Sequence, residues 1–252
     1  MADITLSYKG NTIAEINASG SKTLGTAGKY CEADIELVYV KPLGMEKYAR
    51  QITFYNQDFT AMGIDEITVT SEYNVSGQYF YCREMFQGVK IKRVTVNAPC
   101  LTSMHYTFMY STIEEATFNS GTGYVNGEFQ SAFQSASNLK KVLGSPLDLY
   151  TSSNTNTFYY ASALEEIRFV PSRITNNLNL AQCSKLSDAS IISLANGLRS
   201  DVSGKTLKFH SDVSAKLPNM MGTVTDGIFT ADVSGTVTLQ DFITTTKGWT
   251  LT

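Results

Sequence analysis

The middle of the chain repeats itself, and no other feature of the sequence constrains the fold so tightly. Six segments read apolar, two charged or polar residues, apolar. They are Ile64-Asp-Glu-Ile67, Ile91-Lys-Arg-Val94, Ile113-Glu-Glu-Ala116, Leu139-Lys-Lys-Val142, Leu164-Glu-Glu-Ile167 and Leu186-Ser-Asp-Ala189. Their first residues lie 27, 22, 26, 25 and 22 positions apart. Phe86, Phe108, Phe133, Phe158 and Leu180 stand five or six residues ahead of the later ones, with small residues in between, as in Ala132-Phe-Gln-Ser-Ala-Ser-Asn-Leu139. One such unit cannot bury its apolar edge alone. Stacked units form a continuous core in which each turn touches only its neighbours.

The fold expected is β-rich α+β. A leucine-rich-repeat-like solenoid with short parallel strands, about five to six coils, occupies residues 64–186. Residues 1–42 read as a small N-terminal β module. Ile4, Leu6 and Tyr8 alternate with polar residues, Lys9-Gly10-Asn11 is a hairpin signal, and 35–40 is a third strand ended by Pro42. Residues 43–63 are a linker or entry strand. Residues 187–252 read as an α+β cap over the end of the solenoid. Within it, Ile191, Leu194, Ala195 and Leu198 have helical spacing behind Ser187 or Asp188 as N-cap. Strands are expected at 206–210 and 227–230. A short helix is expected at 239–246, entered through Thr238 with Asp241 at the capping-box position.

Composition narrows the function. Charged residues are only 17% of the chain, against the usual ~25%, and Ser, Thr, Asn and 14 Tyr take their place. A net charge of −3 does not suit a protein that neutralises many phosphates, so nucleic acid is not an expected partner. No apolar run reaches the ~18 residues of a membrane helix, so no membrane insertion is expected. The opening residues have neither a basic n-region nor an apolar h-region, and Sec export is not expected. Cys31, Cys82, Cys100 and Cys183 have no CxxC spacing and are expected to be reduced thiols. With His105 and His210 the only histidines, no metal site and no cofactor are expected.

Candidate catalytic groups read better as structure, and no enzyme activity is expected. Gly121-Thr-Gly-Tyr-Val-Asn126 lacks the third glycine of a dinucleotide loop and reads as a turn. His210-Ser211-Asp212 are adjacent at a strand end and cannot form a relay. Glu114-Glu115 and Glu165-Glu166 recur in register with the repeat. The middle pairs in fact alternate in sign from coil to coil: Asp65-Glu66, Lys92-Arg93, Glu114-Glu115, Lys140-Lys141, Glu165-Glu166. Parallel coils stack about 4.8 Å apart, so these pairs are expected to form a structural charge ladder. Ligand binding is expected instead at tyrosines lying between the strands, surrounded by small polar residues: Tyr79, Tyr81, Tyr106, Tyr110, Tyr159 and Tyr160, with Tyr124 and Tyr150 in similar settings.

The segments Ala132-Phe133 through Lys141-Val142, Phe158 through Ile167, and Leu180-Ala-Gln-Cys-Ser-Lys-Leu186 resemble the BspA-like leucine-rich repeat family over about residues 64–190. Lys22-Thr-Leu24, residues 28–35, Leu207-Lys-Phe209, Ala215-Lys-Leu217 and Thr246-Lys-Gly-Trp-Thr-Leu251 resemble segments that accompany such repeats in phage structural proteins of gut Firmicutes. The resemblance implies a non-enzymatic virion protein of the tail or baseplate, assembled in the host cytoplasm. It would dock on other virion proteins through its N-terminal module, form an oligomer in the particle and present the solenoid to a host-surface glycan or protein. A bacterial cell-surface adhesin and a purely architectural virion protein are the alternatives.

Overall fold

The computed structural model describes residues 4–16, 22–24, 36–40, 49–54, 56, 58–61, 63–71, 79–150 and 156–252. In chain order the elements are β1 (Ile4–Tyr8), β2 (Asn11–Ile16), β3 (Lys22–Leu24), β4 (Glu36–Val40), β5 (Ala49–Thr53), β6 (Glu66–Ser71), β7 (Tyr79–Tyr81), β8 (Arg93–Ala98), β9 (Leu101–Thr102), β10 (Glu115–Ser120), β11 (Lys141–Gly144), β12 (Leu178–Leu180), α1 (Asp188–Gly197), β13 (Thr206–Phe209), α2 (Ser211–Ser214), β14 (Met221–Thr225), β15 (Ile228–Ala231), β16 (Val237–Thr238), α3 (Leu239–Asp241) and β17 (Thr250–Leu251). The chain is strand-rich with few helices, and its middle winds into a parallel β-solenoid of about five turns.

Each coil has three sides. The first is a ladder of β6, β8, β10 and β11, all parallel, continued by a bridge from Lys141 to Glu166. The strands alternate, so Ile67 and Val69, Val94 and Val96, Ala116 and Phe118 point inward while their neighbours face out. The second side is narrower. β5, β7 and β9 pair in parallel, and single bridges carry the ladder through Asn126, Leu147 and Phe169.

The third side is made of turns, and its geometry repeats closely. Residues in left-handed backbone recur four apart in four successive coils: Glu84 and Gly88, Tyr106 and Tyr110, Ser131 and Ser135, Asn156 and Tyr160. A phenylalanine lies midway in each pair and points inward. Phe54, Phe86, Phe108, Phe133 and Phe158 form one column of near-parallel rings, with centroids 5.4, 5.4, 5.8 and 5.6 Å apart. The turns also bond from coil to coil: Phe86 N donates to Thr107 O at 2.9 Å and Phe108 N to Ala132 O at 2.8 Å. Main-chain groups on this side are therefore satisfied without a strand.

Both ends of the first ladder are occupied. At the start, β1 pairs antiparallel with β6, and β2 and β3 extend the sheet outward. Ile4 and Leu6 are buried in the solenoid core. The hairpin of the opening residues thus continues the solenoid sheet. Its alternation puts apolar side chains on the same inner face as Val69, which sits opposite Leu6. The strand at 36–40 pairs with β5 in the second sheet, so the first 42 residues contribute to two sheets.

At the far end α1 lies where the next strand would be. Ser187 caps it, accepting from Ser190 N. Ser190 Oγ and Ser193 Oγ each accept, at 3.0 Å, the backbone N–H groups of Ile167 and Phe169. Asn196 pairs with both main-chain groups of Phe229, tying α1 to β15. Beyond it, β12, β13 and β17 form a parallel sheet, and β14 pairs antiparallel with β15 and β16. Thr238 Oγ1 accepts from Asp241 N at the start of α3, and buried Trp249 donates to Arg199 O at 2.8 Å.

Candidate functional site

The charged residues of the first ladder lie on its outer face. Glu66, Arg93, Glu115 and Lys141 are direct neighbours in the strand register, and Glu166 follows by the last bridge. Arg93 contacts Glu66 at 3.0 Å and Asp65 at 3.2 Å, Lys140 contacts Glu114 at 3.1 Å, and Lys141 contacts Glu166 at 3.3 Å. The hydrogen bond to Glu66 is the main reason the Arg93 guanidinium holds its proton more firmly than usual. The Lys92 and Glu165 side chains stand on the same rungs, while their backbone groups bond across coils: Glu114 N donates to Lys92 O and Glu165 N to Lys140 O, both at 2.8 Å. The ladder is thus compensated charge on an exposed sheet.

The tyrosines fall on two different sides. Tyr106, Tyr110, Tyr159 and Tyr160 belong to the turn side. Tyr110 is 58% exposed and Tyr160 50%. Tyr159 and Tyr160 meet edge to face at 4.3 Å, and Tyr106 lies against the His105 ring at 3.9 Å. Tyr79 and Tyr81 are not between strands: they are the two outward residues of β7, with Phe80 turned inward. Three residues suffice for a strand here because each coil contributes only one short rung to the second sheet.

On that second sheet a cleft of about 310 Å³ is lined by Tyr79, Tyr81, Thr102, Tyr124, Asn126, Gly127, Asp148, Tyr150 and Arg173. These residues come from five successive turns. Asp148 is 4% exposed, and its carboxylate accepts three hydrogen bonds from Arg173 at 2.9–3.1 Å and one from Tyr150 N at 3.0 Å. This pairing raises the Arg173 pKa. The Arg173 guanidinium also lies 4.0 Å from the centre of the Tyr150 ring. Gly127 has φ +100°, and a Cβ there would come within 2.7 Å of Ser103 N and Thr102 Oγ1.

Asp148 and Arg173 escape a reading of single motifs. Two signals point to them. A lone carboxylate interrupts the apolar run Leu147-Asp148-Leu149, and its partner stands 25 residues on, one repeat away.

His105 is mostly buried between coils, with neither ring nitrogen hydrogen-bonded and Glu128 Oε2 at 3.5 Å from Nδ1. Burial, then the charge of Arg83, push its pKa down against the opposing pull of Glu128 and Glu84. His210 caps α2 by accepting from Asp212 N. Cys82, Cys100 and Cys183 are free thiols, and Cys31 lies outside the described residues. Burial pushes the Cys183 thiol up to about 12 and raises Cys82 and Cys100 as well. Among the described residues no group of three His, Cys, Asp or Glu is placed to hold a metal ion, and no helix is long and apolar enough to cross a membrane. No protein-family model, curated protein or solved structure matches the chain.

Proposed function

We propose that the chain is a non-enzymatic recognition protein of a phage tail or baseplate, whose coils turn their tyrosine-bearing turn side toward a host-surface glycan or protein. One observation carries the reading: Tyr110 and Tyr160 occupy left-handed backbone with their rings largely in solvent. The same position holds Gly88 and Ser135 in other coils, so the fold asks only for a small residue there. A left-handed conformation costs an L-residue roughly 1–2 kcal/mol, and an exposed ring regains little of it by burial. Local rules broken without a packing gain concentrate at functional positions. Tyrosine set among Ser, Thr and Asn suits an adaptable contact surface. The virion placement draws its support from the resemblance of the opening and closing segments to phage structural proteins, and docking on neighbouring virion proteins falls to the N-terminal module, residues 1–42.

The test compares adsorption of the full chain to a panel of intact gut Firmicutes cells with that of a Tyr110→Gly, Tyr160→Asn double variant. The variant should melt at a higher temperature, since backbone strain is relieved at both sites, and adsorb at least tenfold less. Undiminished adsorption of the variant, or none by the wild type, overturns the recognition reading. Mass spectrometry of particles purified from the encoding phage should find the chain in the virion, and its absence from them removes the tail or baseplate placement.

A further inference from the structure

We infer that the cleft on the second sheet is a binding site for a neutral oligosaccharide. It lies on a different side of the coil from Tyr110 and Tyr160. Its walls combine two chemistries that a sugar ring needs together. Tyr79, Tyr81 and Tyr124 bring to the lining aromatic rings whose π faces suit the weakly positive C–H face of a pyranose, and phenol, hydroxyl and amide groups, with Thr102 and Asn126 among them, suit its hydroxyl edges. The volume of about 310 Å³ is at the low end of the range for small-ligand sites. Five turns spaced about 4.8 Å apart make the cleft long along the solenoid axis, which suits a short linear chain of sugars.

Charge selects against acidic ligands. Among the described lining residues the one cation, Arg173, is held by the buried Asp148 carboxylate, and that carboxylate already accepts four hydrogen bonds. Neighbouring Arg199, 5.1 Å from the Tyr150 ring, is paired with Asp201. Burial, then the neighbouring Tyr79 and Glu128, raise the Tyr81 phenol's pKa, so the phenol stays neutral. An extended peptide is also poorly served. The main chain lining the cleft is already bonded from turn to turn, with Cys82 N donating to Thr102 O at 3.0 Å, Ser103 N to Asn126 O at 3.0 Å and Val125 N to Pro146 O at 3.0 Å. Little is left there for strand addition.

The site also looks pre-set. Arg173 clamps one aromatic wall by its contact with Tyr150 while bonding Asp148, and Gly127 lets its coil approach Thr102 and Ser103 of the preceding one where a Cβ would collide. Walls fixed before binding spare a weakly binding sugar the entropy of ordering them.

The experiment exposes the full chain to an array carrying neutral oligosaccharides, polyuronates, glycerol-phosphate polymers and peptides, then titrates the best retained soluble glycan by calorimetry. Neutral glycans should be retained above the rest. Tyr81→Ala and Tyr124→Ala should each weaken the titrated affinity at least tenfold. Tyr81→Phe and Tyr124→Phe, which keep the rings and the packing, should weaken it by less. Lys140→Ala, on the outer face of the first ladder, should leave it unchanged. The inference is overturned if no neutral glycan is retained, if acidic polymers or peptides are preferred, or if the Tyr81 and Tyr124 variants bind as the wild type does. Because this assay uses isolated glycans and cleft variants, it fails or succeeds separately from cell adsorption through the turn side.

Discussion

The strand side and the turn side of each coil solve the same stacking problem with different materials. On the strand side, β6, β8, β10 and β11 align by ordinary parallel pairing, and the outer face carries opposite charges in successive rungs. On the turn side, among the described residues, the coils around Phe86, Phe108, Phe133 and Phe158 stack without a strand. Left-handed residues four apart aim alternate N–H groups at the next coil, and the phenylalanine column fills the space behind them. Stability is therefore shared unequally between the two sides. Exposed ion pairs are worth little each, whereas a buried ring excludes water from most of its surface. The strand face can therefore specify which coil lies on which, while the turn side holds the coils together.

The largest effect should come from the ring column. Phe108 is fully buried, between Phe86 and Phe133 and beside Phe118. Phe108→Ala should destabilise the chain by about 3–5 kcal/mol, read by urea denaturation. A loss under about 1 kcal/mol would break the claim that this side carries the stability. Next comes the end of the strand ladder. Ser190→Ala leaves Ile167 N without its acceptor and should cost about 1–3 kcal/mol, with Ser193→Ala adding a similar amount at Phe169 N. Hydrogen exchange should quicken at those two amides first.

The charged rungs come below both. Lys140→Glu with Lys141→Glu should lower stability by roughly 0.2–1 kcal/mol per lost pair, and Glu165→Lys with Glu166→Lys in the same chain should restore part of it. No coupling in the double-mutant cycle would mean that the strand face carries no register information.

The smallest effect is pH-linked. The folded pKa of His105 lies below its ordinary 6.5, so the unfolded chain binds the proton more readily. Its contribution is fully present above about pH 6.5 and is lost as the pH falls toward the folded value. The melting temperature should drop more between pH 7 and 5.5 for the wild type than for His105→Gln. Equal drops would show that the turn side tolerates a protonated His105.

Much of the solenoid was legible because its core positions obey one period. Ile91, Ile113, Leu139, Leu164 and Leu186 and the phenylalanines before them are all buried. The helix at 188–197 was legible for the same kind of reason, a 3.6-residue apolar spacing behind a serine cap. The second sheet beyond β4 and β5 was not, since its rungs of one to three residues are too short to show alternation. Nor was the pairing of β1 with β6, because a hairpin's own pattern does not say which third strand it joins. The cleft was half legible. Its tyrosines stand out, but the Asp148–Arg173 pair that neutralises it depends on two segments one coil apart being brought side by side.

A ladder of near-identical coils contains no instruction about its own length. Every turn ends in the same row of open N–H groups, and any turn would accept another. Here the row ends because Ser190 and Ser193 of α1 present hydroxyl oxygens at the places where a further strand would present carbonyls. The helix thus behaves as a stop codon for the architecture. Moving residues 187–198 one repeat downstream would lengthen the rod by one coil. Deleting them would leave an edge ready to recruit the outer strand β3 of another molecule, turning a rod of fixed length into a fibre.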